Sequence, residues 1–289
     1  MDWDCKDPGT LNMLILRTTI TFCCCILMLN CFAQKKYFRS QGGVWPYKEK
    51  IGLRATEVTV REYLEFIANN DYDPSLFPDE TMLQSLPSAF LFEALRQRNN
   101  NYVTIAASGY GVTWIHIKKQ SNAQATKKLE SVMLMPVTGI SYQQATRFCQ
   151  WKERLSNEVY LKKSAYKLSI SLPSENDYKE LLQNFDSTLD IKTQASKFYF
   201  KGAQIEKNAE IQQERELNKL LRADRFGKDR NNFYGLQGNA AEMTATEGVS
   251  MGGSYIHFAA QSLSTSNISY TKPEIWLGFR FIVRVITDN

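Results

Sequence analysis

Few side chains in this 289-residue chain are equipped for covalent or metal chemistry, and their placement bounds what that chemistry can be. There are two histidines, His116 and His257, and six cysteines. Cys5, Cys23, Cys24, Cys25 and Cys31 fall near the amino terminus, and only Cys149 lies beyond them. No Ser-His-Asp or paired-carboxylate hydrolase constellation assembles from these residues. Cys149 lies on the apolar side of a predicted helix, which makes it a core thiol rather than a nucleophile. His116 alternates with Trp114 and Val112 along a predicted strand and reads as structural.

The clustered cysteines sit in a segment with its own logic. Residues 18–32 form an apolar run of the length of a signal-peptide core, too short to span a bilayer. Arg17 precedes it, and Cys31-Phe32-Ala33 places small residues at the −3 and −1 positions of a cleavage site. Residues 1–33 therefore read as a signal peptide cut after Ala33. Asp2, Asp4 and Asp7 suit such a leader poorly, which points to Met13 as the start. The alternatives are lipidation at Cys31, with Asn30 where a small residue is wanted, and an uncleaved anchor. Cleavage predicts an exported chain, periplasmic or secreted, with a short leader over 34–44 and no membrane span. With Cys149 as its one thiol, that chain has no intramolecular disulfide even in an oxidising compartment.

The elements that position the remaining chemistry follow from pattern. A composition of 43% hydrophobic and 22% charged residues excludes disordered, collagen-like and multi-pass membrane chains. A net charge of +5 is too mild to argue for nucleic acid. Three capping boxes mark helix starts. These are Thr59 to Glu62, with Tyr63, Leu64, Phe66 and Ile67 inward; Ser141 to Gln144, with Ala145, Phe148, Cys149, Trp151 and Leu155 inward; and Ser174 to Asp177, carrying Tyr178, Leu181 and Leu182. Tyr102–Ala107 and Val112–Ile117 read as strands joined at Ser108-Gly109-Tyr110-Gly111. A polar insert at about 196–230 includes a helix-prone stretch from Ala203 to Leu221. Lys118, Lys119, Lys127 and Lys128 read as a solvated face. Short helices among turn-rich strands give one α+β domain over residues 45–289.

These pieces, in this order, resemble the formylglycine-generating enzyme (sulfatase-modifying factor) family. The carriers are Ala55-Thr56-Glu57-Val58-Thr59 with Glu62-Tyr63-Leu64-Glu65-Phe66; Pro136-Val137-Thr138-Gly139-Ile140-Ser141-Tyr142 with Phe148-Cys149-Gln150-Trp151; Leu172-Pro173-Ser174-Glu175-Asn176-Asp177-Tyr178; and Gly235-Leu236, Gly238-Asn239-Ala240-Ala241-Glu242, Gly252-Gly253-Ser254-Tyr255 and Gly278-Phe279-Arg280. No one motif is specific, but together they run in register through residues 45–285. The resemblance implies a C-type-lectin-like fold with much irregular backbone. It also implies kinship with exported envelope proteins of Bacteroidetes-like bacteria, including gliding-motility and secretion components.

The same resemblance implies a copper-dependent oxidase, whose two cysteines follow the Gly-Gly-Ser element because thiolates hold soft Cu(I). Here Ile256 and Gln261 stand at those positions, so no copper is expected and no catalytic residue is assigned. A sulfur–carbon bond-forming branch of the family uses three iron-binding histidines, more than this chain has. His257 then stands in the implied cleft, either as a ligand or acid–base group or as an ordinary hydrogen-bonded histidine. The family's calcium region is three residues shorter here. Gly238, Ala240 and Glu242 match its ligand positions, Glu242 alternatively serving as a buried carboxylate tied to Asn239 or Arg280. The leading expectation is a non-catalytic binding or structural module of the envelope, with a protein or glycan partner. The alternative is a metal-dependent oxidoreductase with a rewired site.

Overall fold

The computed structural model describes residues 43–108, 112–183, 220–225, 233–257 and 266–287. The signal-like segment, most of the 34–44 leader, Gly109–Gly111, nearly all of the 196–230 insert and Gln261 lie outside the described residues. In chain order the strands and helices are β1 (Val44–Lys48), β2 (Ile51–Arg54), α1 (Val60–Ala68), α2 (Glu80–Leu83), α3 (Ala89–Arg96), β3 (Val103–Ala107), β4 (Thr113–Ile117), α4 (Ala123–Met133), α5 (Tyr142–Leu155), β5 (Tyr166–Ser171), α6 (Glu175–Gln183), β6 (Ala241–Met243), β7 (Val249–Met251), β8 (Ile268–Ser269), β9 (Leu277–Gly278) and β10 (Ile282–Thr287). This is an α+β arrangement of short helices and small sheets.

All three capping boxes form. The Thr59 side chain accepts from the Glu62 N–H while Glu62 accepts from the Thr59 N–H, and Ser141 with Gln144 does the same. At the start of α6, Ser174 Oγ accepts from the Asp177 N–H at 3.1 Å and Asp177 Oδ2 accepts from the Ser174 N–H at 2.9 Å. Each such cap is worth about 1 kcal/mol to its helix.

The helices bury the faces their spacing dictates. Tyr63 and Phe66 of α1, Phe92 of α3, Phe148 and Trp151 of α5, and Phe279 and Phe281 build one aromatic core. Cys149 is inside it, and burial pushes its thiol pKa well up, which removes it as a nucleophile. A second cluster joins Tyr178, Leu181 and Leu182 of α6 to Leu53, Phe233, Leu236, Met251 and Ile282.

Strand pairing closes the chain on itself. One sheet has the order β1-β2-β10-β5, so the last strand lies between the two earliest and the middle one. Pro46, which has no N–H for a ladder, sits on the edge strand β1. A second sheet has the order β8-β7-β6-β9, and β3 with β4 makes a separate ribbon. Gly252, just after β7, has φ +83°, and a Cβ there would meet the Leu236 carbonyl oxygen at 2.8 Å.

Two sheet edges are finished by side chains instead of strands. Asn157, in a π-helical turn that follows α5, accepts from the Leu168 N–H and donates to the Leu168 carbonyl on the outer edge of β5. Glu153 accepts from Ile170 N–H one pleat further on. On β4, Asn69 grips Thr113 N–H and C=O in the same way, and Glu65 accepts from Ile115 N–H. Lys118, Lys119, Lys127 and Lys128 are exposed, as a solvated face requires, and His116 is also exposed, opposite Thr104.

Asn157→Ala leaves both part-buried Leu168 backbone groups on the edge of β5 without their side-chain partner and is expected to destabilise the fold by about 2 kcal/mol. Urea unfolding reads this directly; an unchanged midpoint contradicts the edge-finishing role.

Candidate functional site

At the centre of the carboxy-terminal half, Arg280 is completely buried. Its Nε donates to Glu242 Oε1 and Oε2 at 2.8 and 2.6 Å, and Nη2 donates to Oε1 at 2.5 Å. The remaining guanidinium hydrogens reach the carbonyls of Arg54, Ala55, Tyr234 and Gly235 at 3.0–3.3 Å. One side chain thereby joins the end of β2, the loop before β6, β6 itself and the β9–β10 connection.

Asn239 continues this knot from a left-handed φ of +61°. Its amide Nδ2 donates to Glu57 Oε1 at 3.1 Å, and its Oδ1 accepts from Leu221 N–H at 3.0 Å. Glu57 is fully buried, and among the described residues its Oε2 has no hydrogen-bond partner. Two carboxylates thus share one guanidinium. Glu242 takes the direct bonds, while burial, reinforced by Glu242 and opposed by Arg280, pushes the Glu57 carboxyl up to about 8. Burial also pushes the Glu242 carboxyl up, against the opposing Arg280 charge and bonds, so two buried carboxyls facing one guanidinium favour retaining a proton.

The cleft position predicted by the Gly-Gly-Ser element lies beside this knot. Gly238 N–H donates to Gly252 C=O and Tyr255 N–H to Asn239 C=O, which seats the turn on the Asn239 loop. Ser254 is fully buried, and its Oγ lies 2.7 Å from His257 Nδ1. The His257 ring stands edge-on to Trp276 with centroids 4.6 Å apart. Burial lowers its pKa, and its Nδ1 shares the hydrogen bond with the Ser254 hydroxyl. Ile256, at the implied position of the first copper thiolate, is 37% exposed, as is Ile275 close by in sequence to Trp276.

The sequence profile of the sulfatase-modifying factor enzyme 1-like domain matches residues 49–285. The chain belongs to this family. Among solved structures it is similar to PvdO from Pseudomonas aeruginosa, at 12% identity over 81% of this chain and 80% of that one, with a TM-score of 0.41. It is also similar to Treponema denticola variable protein 1, at 12% identity over 84% and 91% with a TM-score of 0.44, and to CarF, at 16% over 82% and 86% with 0.42. No curated protein sequence matches it significantly.

Within this sulfatase-modifying factor-like domain, the candidate residues are distributed as follows. His257 is pinned between Ser254 and Trp276, while Gln261 lies outside the described residues. Glu242 has both carboxylate oxygens bonded to Arg280, and Gly238 and Ala240 flank Asn239 in the loop that leads to it. A hard cation drawing on Glu242 would have to displace a guanidinium. Among the described residues no three His, Cys, Asp or Glu come together as a metal-binding group. Copper does not fit the described part of this cleft either, where Ile256 offers no donor and Cys149 is enclosed in the aromatic core. At the insert's described end Leu220 and Ala223 are buried, Leu220 against Tyr255 and Ala240, while Asp224 and Arg225 are exposed.

Sequence reasoning passed over Glu57 and gave Asn239 only a secondary role. A signal was present in Glu57, the one acid in a run of apolar and threonine residues between β2 and α1, where an unpaired charge would be costly.

Two outcomes test the knot. Arg280→Met leaves Glu242 buried without its cation and is expected to cost about 3–5 kcal/mol, enough to unfold the domain at ambient temperature by circular dichroism. The second concerns pH. Glu57 and Glu65, the latter pushed by burial to about 7, bind protons more tightly folded than unfolded. Their contribution is complete below about pH 4.5 and is lost as pH rises through about 7 to 8. Glu57→Gln is expected to shrink the fall in Tm from about pH 5 to about pH 9 without removing it; an unaltered slope contradicts a protonated Glu57.

Proposed function

We infer that this protein is an exported sulfatase-modifying factor-like domain that has kept the family scaffold and serves as a non-catalytic binding or structural module of the cell envelope, of the gliding or secretion type. One observation carries this reading: the position where the family's oxidase chemistry needs a thiolate is an exposed isoleucine, next to a histidine already committed to Ser254 and Trp276. Exposed Ile256, beside the His257–Trp276 ring pair, offers apolar contact to a protein or glycan surface rather than a ligand to a soft metal. No helix among the described residues is long and apolar enough to cross a membrane. A rewired metal-dependent oxidoreductase is the competing reading and depends on His257.

Incubation of the purified chain with copper, oxygen and a cysteine-containing sulfatase-type peptide separates the two. Mass spectrometry is expected to show the peptide unchanged, with no aldehyde product, and metal analysis to show no stoichiometric copper or iron. Conversion of the thiol, or a bound transition metal that disappears in His257→Ala, overturns the module reading. Cross-linking in the native envelope is then expected to identify the partner.

A further inference from the structure

A cavity of about 430 Å³ opens where α1 begins, with Arg54, Arg61, Trp45, Tyr234 and Asp224 among its lining residues. Its volume is that of a small-molecule site. The charges on its wall are unequally matched. Arg54 pairs with Glu62 at 3.0 Å, and Glu62 also accepts from Thr59. Although burial opposes ionisation of Glu62, the Arg54 and Lys152 charges hold its carboxyl below the ordinary range, so it is an anion. Asp224 is gripped by Arg222 through two bonds of 2.9 and 2.8 Å. Both lining carboxylates are therefore satisfied by other cations.

Arg61 is different. No carboxylate lies within ion-pair distance of it among the described residues, and its Nε is buried without a hydrogen-bond partner. It also stands in the first turn of the nine-residue helix α1, at the end where the helix dipole favours negative charge and disfavours a cation. A guanidinium partly enclosed in this way is completed by an anion presenting two oxygens in a plane, which is the geometry of a carboxylate. Trp45 and Tyr234 give the same cavity aromatic walls suited to a ring or other flat apolar face.

We propose that this cavity binds a small organic carboxylate, with Arg61 receiving the carboxylate group and Trp45 and Tyr234 enclosing the ring that bears it. The ligand is of monosaccharide or single-ring size, and its carboxylate is the group selected. The site is separate from the Ile256–His257 cleft and does not rest on the reading of that cleft. The segment Leu220–Arg225 borders both, since Leu220 packs on Tyr255 while Ala223 and Asp224 line the cavity.

The test is titration of the full exported chain with glucuronate and with benzoate, followed by calorimetry and by tryptophan fluorescence. Glucose and benzyl alcohol serve as neutral counterparts, and inorganic phosphate as a simple anion. Saturable binding of at least one carboxylate is expected, with the neutral counterparts at least about tenfold weaker. Glucuronate alone assigns a sugar acid and benzoate alone an aromatic acid. Arg61→Met is expected to weaken binding about tenfold or more, and Arg61→Lys to recover part of it. Should Arg61→Met fail to fold, loss in Trp45→Phe of the ligand-induced fluorescence change seen in the parent chain locates the site independently. Absence of binding by both carboxylates, equal binding of the neutral compounds, equal competition by phosphate, or undiminished binding by a folded Arg61→Met each overturns the proposal.

Discussion

The architecture depends on one buried ion pair. Arg280 and Glu242 lie in a region where the strands are two or three residues long, too short for ladder hydrogen bonds to specify how neighbouring segments meet. The guanidinium supplies that specification by bonding a carboxylate and four backbone carbonyls at once. A buried charge pair of this kind is not a cheap source of stability, since desolvation offsets most of the attraction. What it gives is uniqueness: no other side chain has planar donors that reach all of these partners, so the segments have one mutual arrangement. Glu57 extends the same constraint, because burial of a second carboxyl beside one guanidinium favours its protonated form.

The rest of the molecule uses a related device. Where strand edges would present unpaired backbone groups, Asn69 and Asn157 offer a side-chain amide whose donor and acceptor imitate the next strand. Edges finished in this way need no further backbone and do not invite pairing with another chain. The fold thus spends polar side chains where a regular sheet would spend strands. This explains how small sheets and short helices support two sizeable hydrophobic clusters.

Helix starts, their inward faces and the two strands of the ribbon were legible in the sequence, because capping boxes and apolar periodicity are local signals. Thr59, Ser141 and Ser174 needed only residues three positions away. The family was legible through the order of motifs, no one of which is specific. The knot was not, apart from the pairing of Glu242 with Arg280 as one of several options. Glu57 and Asn239 are 182 residues apart, and nothing near either residue announces the other. The edge contact of Asn157 with Leu168 spans 11 residues but depends on a π-helical turn that periodicity alone does not predict. Long-range polar pairing has no period, which is why sequence reading recovered the core faces and missed part of what fixes their relation.

Ile256 has a consequence at the level of descent. Its side chain belongs neither to the aromatic core nor to the Arg280 knot, and more than a third of it faces solvent. Folding therefore places less demand on what occupies that position than on the buried polar residues. Exchanges at Glu57, Asn239, Glu242 or Arg280 are purged for stability whatever the protein does, whereas drift at Ile256 is checked more by chemistry. A scaffold built in this way can pass from one biochemical role to another by surface replacement, with its interior unchanged.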